Sequence, residues 1–302
     1  MTTILVAGLI NIETTLKVDS FPLEYAPVRY PFFGVNSTVS GVGYNIARAL
    51  TRLGDDVRFL SLIGQDVAGA MVRTRLAEDA IAVEGVLSAI DDTAQSVILY
   101  EPGGRRAIMV DLKDIQEQIY PPQQAAAALK DVQFAVICNI NFARKMLVQA
   151  RAAGVPIAAD VHAIGDLEDA YNQDWMAAAH ILFQSHENLP VPAAEWLAQI
   201  GRRYAPALAV VGRGVDGALL RIHADGSLHH IPAVQTRPVV NSIGAGDALF
   251  SAFVHSYARS GDPVAALRRA VVFASYKIGV AGAADGFLDA AGLDTWCRRV
   301  YG

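Results

Sequence analysis

Cysteine is nearly absent from this chain. Cys138 and Cys297 are the only two among 302 residues, which excludes a disulfide scaffold and makes a reducing, cytoplasmic setting the expectation. Charge is sparse as well: 18% of residues are charged, the net charge is -5, and no run is rich in Lys and Arg. A phosphate backbone needs a basic face, so nucleic acid is excluded as a partner. No apolar run approaches the ~20 residues that cross a bilayer, so no membrane partner is expected. The opening MTTILVAGLI carries no basic leader and reads as a first strand rather than a signal peptide. The seven histidines do not pair with Cys or carboxylates at metal-ligand spacing, and His229 and His230 fall on opposite faces of one strand. With no G-x-S-x-G elbow and no Cys–His pairing, nucleophilic hydrolysis has no support.

What the chain has in quantity is apolar sequence, 53% of its residues, enough for a sizeable core. Short apolar runs at Ile4–Ala7, Val57–Ile63, Phe134–Cys138, Ile157–Asp160, His180–Phe183 and Ala207–Val211 read as buried strands. Helical stretches such as Tyr44–Leu53, which stops at Gly54, and Ala68–Glu78 alternate with them. This alternation predicts an α/β fold of three layers, α/β/α, around a mainly parallel central sheet. Thr14–Val18 with Thr38, and Ser96–Tyr100 with Arg106–Asp111, have strand character without an intervening helix. The second pair flanks Glu101-Pro102-Gly103-Gly104, a hairpin turn by composition. These pieces, from about 14–39 and 95–111, are expected to form a small antiparallel β-sheet lid on one domain spanning the whole chain.

Two glycine motifs compete for the chemistry. Gly212-Arg213-Gly214-Val215-Asp216-Gly217 is formally G-x-G-x-x-G, but it leads into the strand-like Ala218–Ile222, a turn, and Leu228–Ile231. A dinucleotide site needs a helix opening there and an acid ~20 residues on; neither is present, so a nicotinamide oxidoreductase is disfavoured. The second motif, Asn241-Ser242-Ile243-Gly244-Ala245-Gly246-Asp247, precedes a helical stretch over Ala248–Ala258. Free backbone N–H groups and the helix dipole make such a start an anion site, and small residues let the backbone approach a phosphate. Asp247 in the first turn is expected to stay ionised there. A carboxylate beside an anion hole suits phosphoryl transfer to a hydroxyl, the base taking the proton while the donors hold phosphoryl charge. An ordinary helix start with a capping Asp is the plainer alternative.

Asn241–Asp247 resembles the C-terminal signature of the ribokinase-like (PfkB) carbohydrate kinases, D-T-x-G-A-G-D. Ser40-Gly41-Val42-Gly43-Tyr44-Asn45, running through Ala47 and Ala49 to Leu53-Gly54, is similar to the N-terminal signature. Gly64-x-Asp66-x-x-Gly69, Gly214-x-x-Gly217 and the start Gly8–Pro22 add to the likeness, which extends from about residue 4 to 290. The resemblance implies Asp247 as catalytic base and Gly244, Ala245 and Gly246 as the anion hole. It implies Asn11, Glu13, Gly41, Gly43 and Asn45 as substrate contacts, and ATP held by Ser185, Asn188, Gly212, Arg213, Gly214 and Gly217. Mg²⁺ is implied near Glu187 and Asp160, through water, and a monovalent cation is left open as a second inorganic cofactor.

Several positions depart from the family pattern. Asn241 and Ser242 replace Asp and Thr, Glu13 replaces Asp, and the N-x-x-E segment falls at Ser185-His186-Glu187-Asn188 with both ends changed. The implied acceptor is a sugar or a nucleoside, with sugar slightly favoured, and a non-catalytic sugar- or nucleotide-binding relative stays as the alternative. The aromatic Tyr25–Val39 stretch is compatible with stacking on a nucleobase or with lid packing. Lys277 reads as a snorkelling surface lysine rather than a nucleotide contact. Arg105-Arg106 read as solvated turn residues, with closure over an anionic part of the substrate as the alternative. The resemblance also implies a homodimer through the lid, with a monomer left open.

Overall fold

Strand β1 (Thr3–Ala7) shows how the layers arise. Successive side chains of a strand point to opposite faces. Ile4 and Val6 enter one buried cluster while Leu5 and Ala7 enter another. The same division holds for β8 (Phe134–Ile137), where Phe134 and Val136 oppose Ala135 and Ile137, and for β11 (Leu208–Gly212), where Leu208 and Val210 oppose Ala209 and Val211. Apolar residues on both faces mean that both faces must be covered. One face packs against α1 (Val42–Arg52), α2 (Val67–Glu78), α7 (Ala245–Ser260), α8 (Pro263–Lys277) and α9 (Ala290–Tyr301). The other packs against α3 (Pro122–Ala128), α4 (Arg144–Ala152), α5 (Gln173–Ala178) and α6 (Ala193–Arg203). This arrangement comes from a computed structural model that describes residues 2–102 and 105–302.

The central sheet runs β13-β12-β11-β10-β9-β8-β1-β4-β5, with β4 at Asp56–Gly64, β5 at Val86–Ile90, β9 at Ile157–Asp160 and β10 at Ile181–Ser185. Pairs from β11 to β5 are parallel; β12 (Ala218–Ile222) and β13 (Leu228–Ile231) close one edge antiparallel. Parallel strands place all their carboxyl ends on one side, where ligands of such sheets bind. Helix α7 is seated beneath that side by Phe250 and Phe253, which meet Phe183 of β10 edge-on at ring-centroid distances of 5.1 and 5.0 Å. Among the described residues no helix is long and apolar enough to cross a membrane.

The lid is a second sheet in the order β3-β2-β6-β7, with β2 at Asn11–Lys17, β3 at Val35–Ser40, β6 at Gln95–Tyr100 and β7 at Arg106–Asp111. Its expected all-antiparallel character is corrected: β2 pairs with β6 in parallel, while β2–β3 and β6–β7 are antiparallel. A hairpin forces antiparallel pairing, but β2 and β6 are joined through β3, α1, β4, α2 and β5, so no tight turn dictates their sense. Of the expected turn, Gly103 and Gly104 lie outside the described residues. The lid also starts earlier than expected, at Asn11, so both candidate substrate residues of that segment belong to a lid strand.

Candidate active site

Helix α7 opens at the carboxyl side of the sheet. Its N-cap is Gly244, in the left-handed region at φ 74°. A Cβ there would collide with the carbonyl oxygen of Ala283, so both conformation and space require glycine. Ala245, Gly246 and Asp247 form the first turn, whose N–H groups have no partners within the helix. The Ala245 N–H donates to the Ser242 carbonyl at 3.2 Å; among the described residues the N–H groups of Gly244, Gly246 and Asp247 have no such bond. The Asp247 side chain does not cap its own helix, which removes the plainer reading of this motif. Its Oδ2 accepts a hydrogen bond from Asn45 Nδ2 at 2.7 Å, a link from α1 to α7. Burial pushes the Asp247 carboxyl above the ordinary aspartate range; Asn45, His162 and Lys277 pull it down, and Asp160 pushes it further up. Desolvation is the leading cause, and it sets the direction of the shift. A carboxylate with a raised pKa is a stronger base for a hydroxyl proton.

A chain of side chains leads from Asp247 to the lid. Ser40 Oγ donates to Glu13 Oε2 at 3.0 Å and lies 3.4 Å from Asn45 Oδ1. On the same face of β2, Asn11 Nδ2 donates to Ser96 Oγ of β6 at 3.0 Å. Asn11 Oδ1 and Glu13 Oε1 are buried and have no partner among the described residues. Two neighbouring orphan acceptors are a demand for donors, and a polyhydroxyl ligand provides them. Burial, first, raises the Glu13 carboxyl pKa; Ser40 and Lys277 oppose the rise, while Asp247 and Asp285 add to it. Gly43 is buried against Gly8, whose backbone a Cβ would strike, so its glycine lets α1 approach the β1–β2 connection. Gly41 is the N-cap of the same helix. Beside this face a cavity of about 210 Å³ includes Leu9, Val42, Cys138, Asn139 and His162 in its lining. A more open hollow of about 720 Å³ shares Asn139 and His162 with it.

The lid is docked on the loop before α7. Ile98 of β6 packs with Ile243 and Ala283, and Arg106 Nη1 donates to Ser242 Oγ at 2.8 Å. Arg105 turns the other way, its Nε 2.6 Å from Glu101 Oε1. Both arginines are exposed, as expected of solvated turn residues, yet each has a partner: Arg105 pairs with Glu101, and Arg106 reaches Ser242 in the loop before α7. The aromatic stretch before β3 is not lid packing, since Tyr25, Phe32 and Phe33 stand exposed.

The remaining candidates line the ends of adjacent strands. In register, Phe183 of β10 pairs with Asp160 at the end of β9, and Ser185 pairs with Gly212 at the end of β11. Asp160 Oδ1 accepts from the His162 N–H at 2.8 Å, and Ser185 Oγ accepts from the Glu187 N–H at 3.2 Å. Asn188 adopts a positive φ of 69°, its Nδ2 3.5 Å from the Ala163 carbonyl. Gly212–Gly217 forms a tight turn into β12, closed by the Arg213 N–H on the Gly217 carbonyl at 2.7 Å, with Gly214 opening a single 3₁₀ turn inside it. No long helix opens at these glycines, which agrees with setting the dinucleotide reading aside.

The sequence matches the pfkB family carbohydrate kinases over residues 1–290. The chain belongs to this family. It is 26% identical over 297 residues, 97% of each chain, to the acarbose 7(IV)-phosphotransferase of Actinoplanes sp.. It is 25% identical over 287 residues, 94% of each chain, to the ATP-dependent ribose-1-phosphate kinase of Halopiger xanaduensis. A solved structure of a microbiome-derived acarbose kinase superposes with a TM-score of 0.88 at 25% identity, covering 99% of both chains. As a PfkB kinase, the protein transfers a phosphoryl group from ATP to a sugar or nucleoside.

Within this PfkB fold, three residues at the site lay outside the sequence-based site assignment. Ser40 was visible as part of the N-terminal signature, yet its bridge to Glu13 depends on lid pairing. His162 follows Asp160 and takes a positive φ of 59°, a backbone state that sequence does not advertise for histidine. Lys277 corrects an expectation: it is fully buried at 0% exposure, not a surface lysine, because α8 ends inside the fold behind the loop before α7.

Proposed function

We propose that Asp247 is the general base that removes the proton of an acceptor hydroxyl as that oxygen attacks the γ-phosphorus of ATP. The observation carrying this reading is the placement of Asp247 in the first turn of α7, with Oδ2 held by Asn45 and Oδ1 without a hydrogen bond among the described residues. The N–H groups of Gly244, Gly246 and Asp247 then receive the phosphoryl oxygens, with Ala245 as the small residue that lets them approach. Asn11 and Glu13, each with a buried acceptor that has no partner among the described residues, hold other hydroxyls of the acceptor. Two adjacent acceptors suit a sugar or the ribosyl part of a nucleoside, and the sugar reading is the one we adopt. Asn45 orients Asp247, and Gly41 and Gly43, at the start of the same helix, are the positions where the acceptor hydroxyls approach it.

The adenine nucleotide lies along the ends of β10 and β11, over Ser185, Asn188, Gly212, Arg213, Gly214 and Gly217. No set of three or more His, Cys, Asp or Glu side chains among the described residues is arranged to hold a metal ion. Mg²⁺ fits nonetheless as a nucleotide-borne ion, since it keeps waters and binds through one or two carboxylates plus phosphates. Asp160 and Glu187, at the ends of adjacent strands, are the carboxylates that would hold it, and its contribution when bound is to neutralise phosphate charge. The protein's own residues position the acceptor and exclude water beneath the lid.

Edge strand β7 leaves Ile108, Met109 and Val110 about half exposed, at 51%, 50% and 49%. An unpaired apolar edge supports a homodimer through the lid, in a cytoplasmic protein; light scattering that returns a monomer mass would remove the dimer. The activity is tested by ADP release from MgATP with a panel of sugars, sugar phosphates and nucleosides, beside Asp247→Asn. Turnover with one acceptor, lost in the variant, supports the assigned base; retained turnover in the variant eliminates it.

A further inference from the structure

Lys277 is the last residue of α8 and is completely buried, with 0% exposure. Its ammonium donates to two backbone carbonyls, that of Ile243 and that of Gly282, the second at 2.7 Å. These carbonyls belong to the two segments that build the anion hole: Ile243 precedes Gly244, and Gly282 precedes Ala283, whose carbonyl abuts Gly244. Packing alone does not call for a lysine here. A methionine fills similar volume without the cost of burying an ammonium. What the charge adds is attraction for carbonyl oxygens, the same interaction by which proteins hold potassium.

Peptide geometry carries the effect to the site. The Ile243 carbonyl and the Gly244 N–H belong to one planar trans peptide and point in opposite directions. Fixing the carbonyl on the ammonium therefore fixes the N–H on the other side, one of the three assigned to the anion hole. The Gly282 carbonyl fixes the neighbouring Ala283 peptide in the same way. Asp247, Asp285 and Glu13 lie near enough to favour the charged amine, while Arg237 opposes it, and burial lowers its pKa to about 8. A monovalent cation does not fit between these carbonyls, because the ammonium already occupies that place.

We propose that Lys277 is a built-in cation of the anion hole, a positioning residue that holds the Ile243 and Gly282 carbonyls as a bound monovalent ion would and makes the enzyme independent of one. This rests on the reading of Gly244–Asp247 as the anion hole.

The test compares wild type, Lys277→Ala and Lys277→Met in choline chloride, potassium chloride and ammonium chloride at equal ionic strength. Two readouts are taken: kcat and KM for MgATP, and the melting temperature without nucleotide. Wild type is expected to respond to none of the salts in either readout. Lys277→Ala should lose about ten- to a hundredfold in kcat, as for a misaligned oxyanion donor. Potassium or ammonium, but not choline, should restore part of that rate and raise its melting temperature. Lys277→Met, whose side chain fills the space, should stay slow and unresponsive. Wild-type turnover that rises severalfold with potassium overturns the proposal whether or not either variant folds. So does a Lys277→Ala enzyme whose melting temperature ignores the cations, whether its kcat is normal or is lowered and unresponsive to them. The melting temperature requires no catalysis, so a cation response there with no change in kcat would retain the cation site and reject the anion-hole reading instead.

Discussion

Replacing Glu13 by glutamine separates what this residue does for substrate from what it costs the fold. Glu13 is 6% exposed; its Oε2 accepts from Ser40, and Oε1 has no partner among the described residues. Glutamine keeps the shape and the Ser40 acceptor but removes the buried charge. Leaving a buried polar group unsatisfied costs about 1–3 kcal/mol, more when it is ionised, and a large domain shifts by about 2 °C per kcal/mol. Glu13→Gln should therefore melt about 2–6 °C higher than wild type at pH values where Glu13 is ionised. The sign follows from burial raising the folded-state pKa. The native state then binds the proton more tightly than the unfolded chain, so this contribution to stability is present below the unfolded-state pKa and lost as pH rises through the folded-state pKa. The gap between variant and wild type should open across that window and stay constant above it. Acceptor binding should move the opposite way: losing a charge-assisted hydrogen bond should raise KM for the acceptor about ten- to a hundredfold. Thermal melts across pH, with steady-state kinetics at one pH, measure both. A variant less stable than wild type at neutral pH refutes the burial argument, and an unchanged acceptor KM refutes the role in substrate binding.

Gly244→Ala forces a side chain into a left-handed position against the Ala283 carbonyl; it should cost about 1–3 kcal/mol of stability. Displacing the anion-hole donors should also lower kcat about a hundredfold, read by denaturant unfolding and ADP release together. Asp55→Leu strands His255 and Arg259 in the opposite part of α7, where Asp55 lies 2.7 Å from His255 Nδ1 and 2.9 Å from Arg259 Nη2. Breaking such a buried group should cost about 3 kcal/mol in urea unfolding, with acceptor and nucleotide KM values unchanged.

Much of the fold was legible because it rests on local pattern. Apolar runs too short for helices, alternating with helical stretches, pointed to a parallel sheet covered on both faces, and the two-cluster division of β1, β8 and β11 is the physical form of that signal. Ala218–Ile222 and Leu228–Ile231 were read as strands and form β12 and β13 with those same limits. The lid was legible as strands but not in its pairing, because β2 and β6 meet only after a long excursion of the chain. The aromatic stretch before β3 left lid packing and nucleobase stacking open, and exposure rules out only the first.

The sequence by itself determined the layered α/β architecture, the glycine-rich start of α7 with its aspartate, and the family, since each depends on the order of residues along the chain. Tertiary structure decided what those residues do to one another. It placed Asn45 of α1 on Asp247 of α7, bridged Glu13 to Ser40, left two acceptors unsatisfied among the described residues, and buried Lys277 behind the loop before α7. Each of these joins segments that only packing brings together. A lysine at the end of a helix looks the same in sequence whether it meets water or two carbonyls, and the difference is set by what the rest of the chain folds over it.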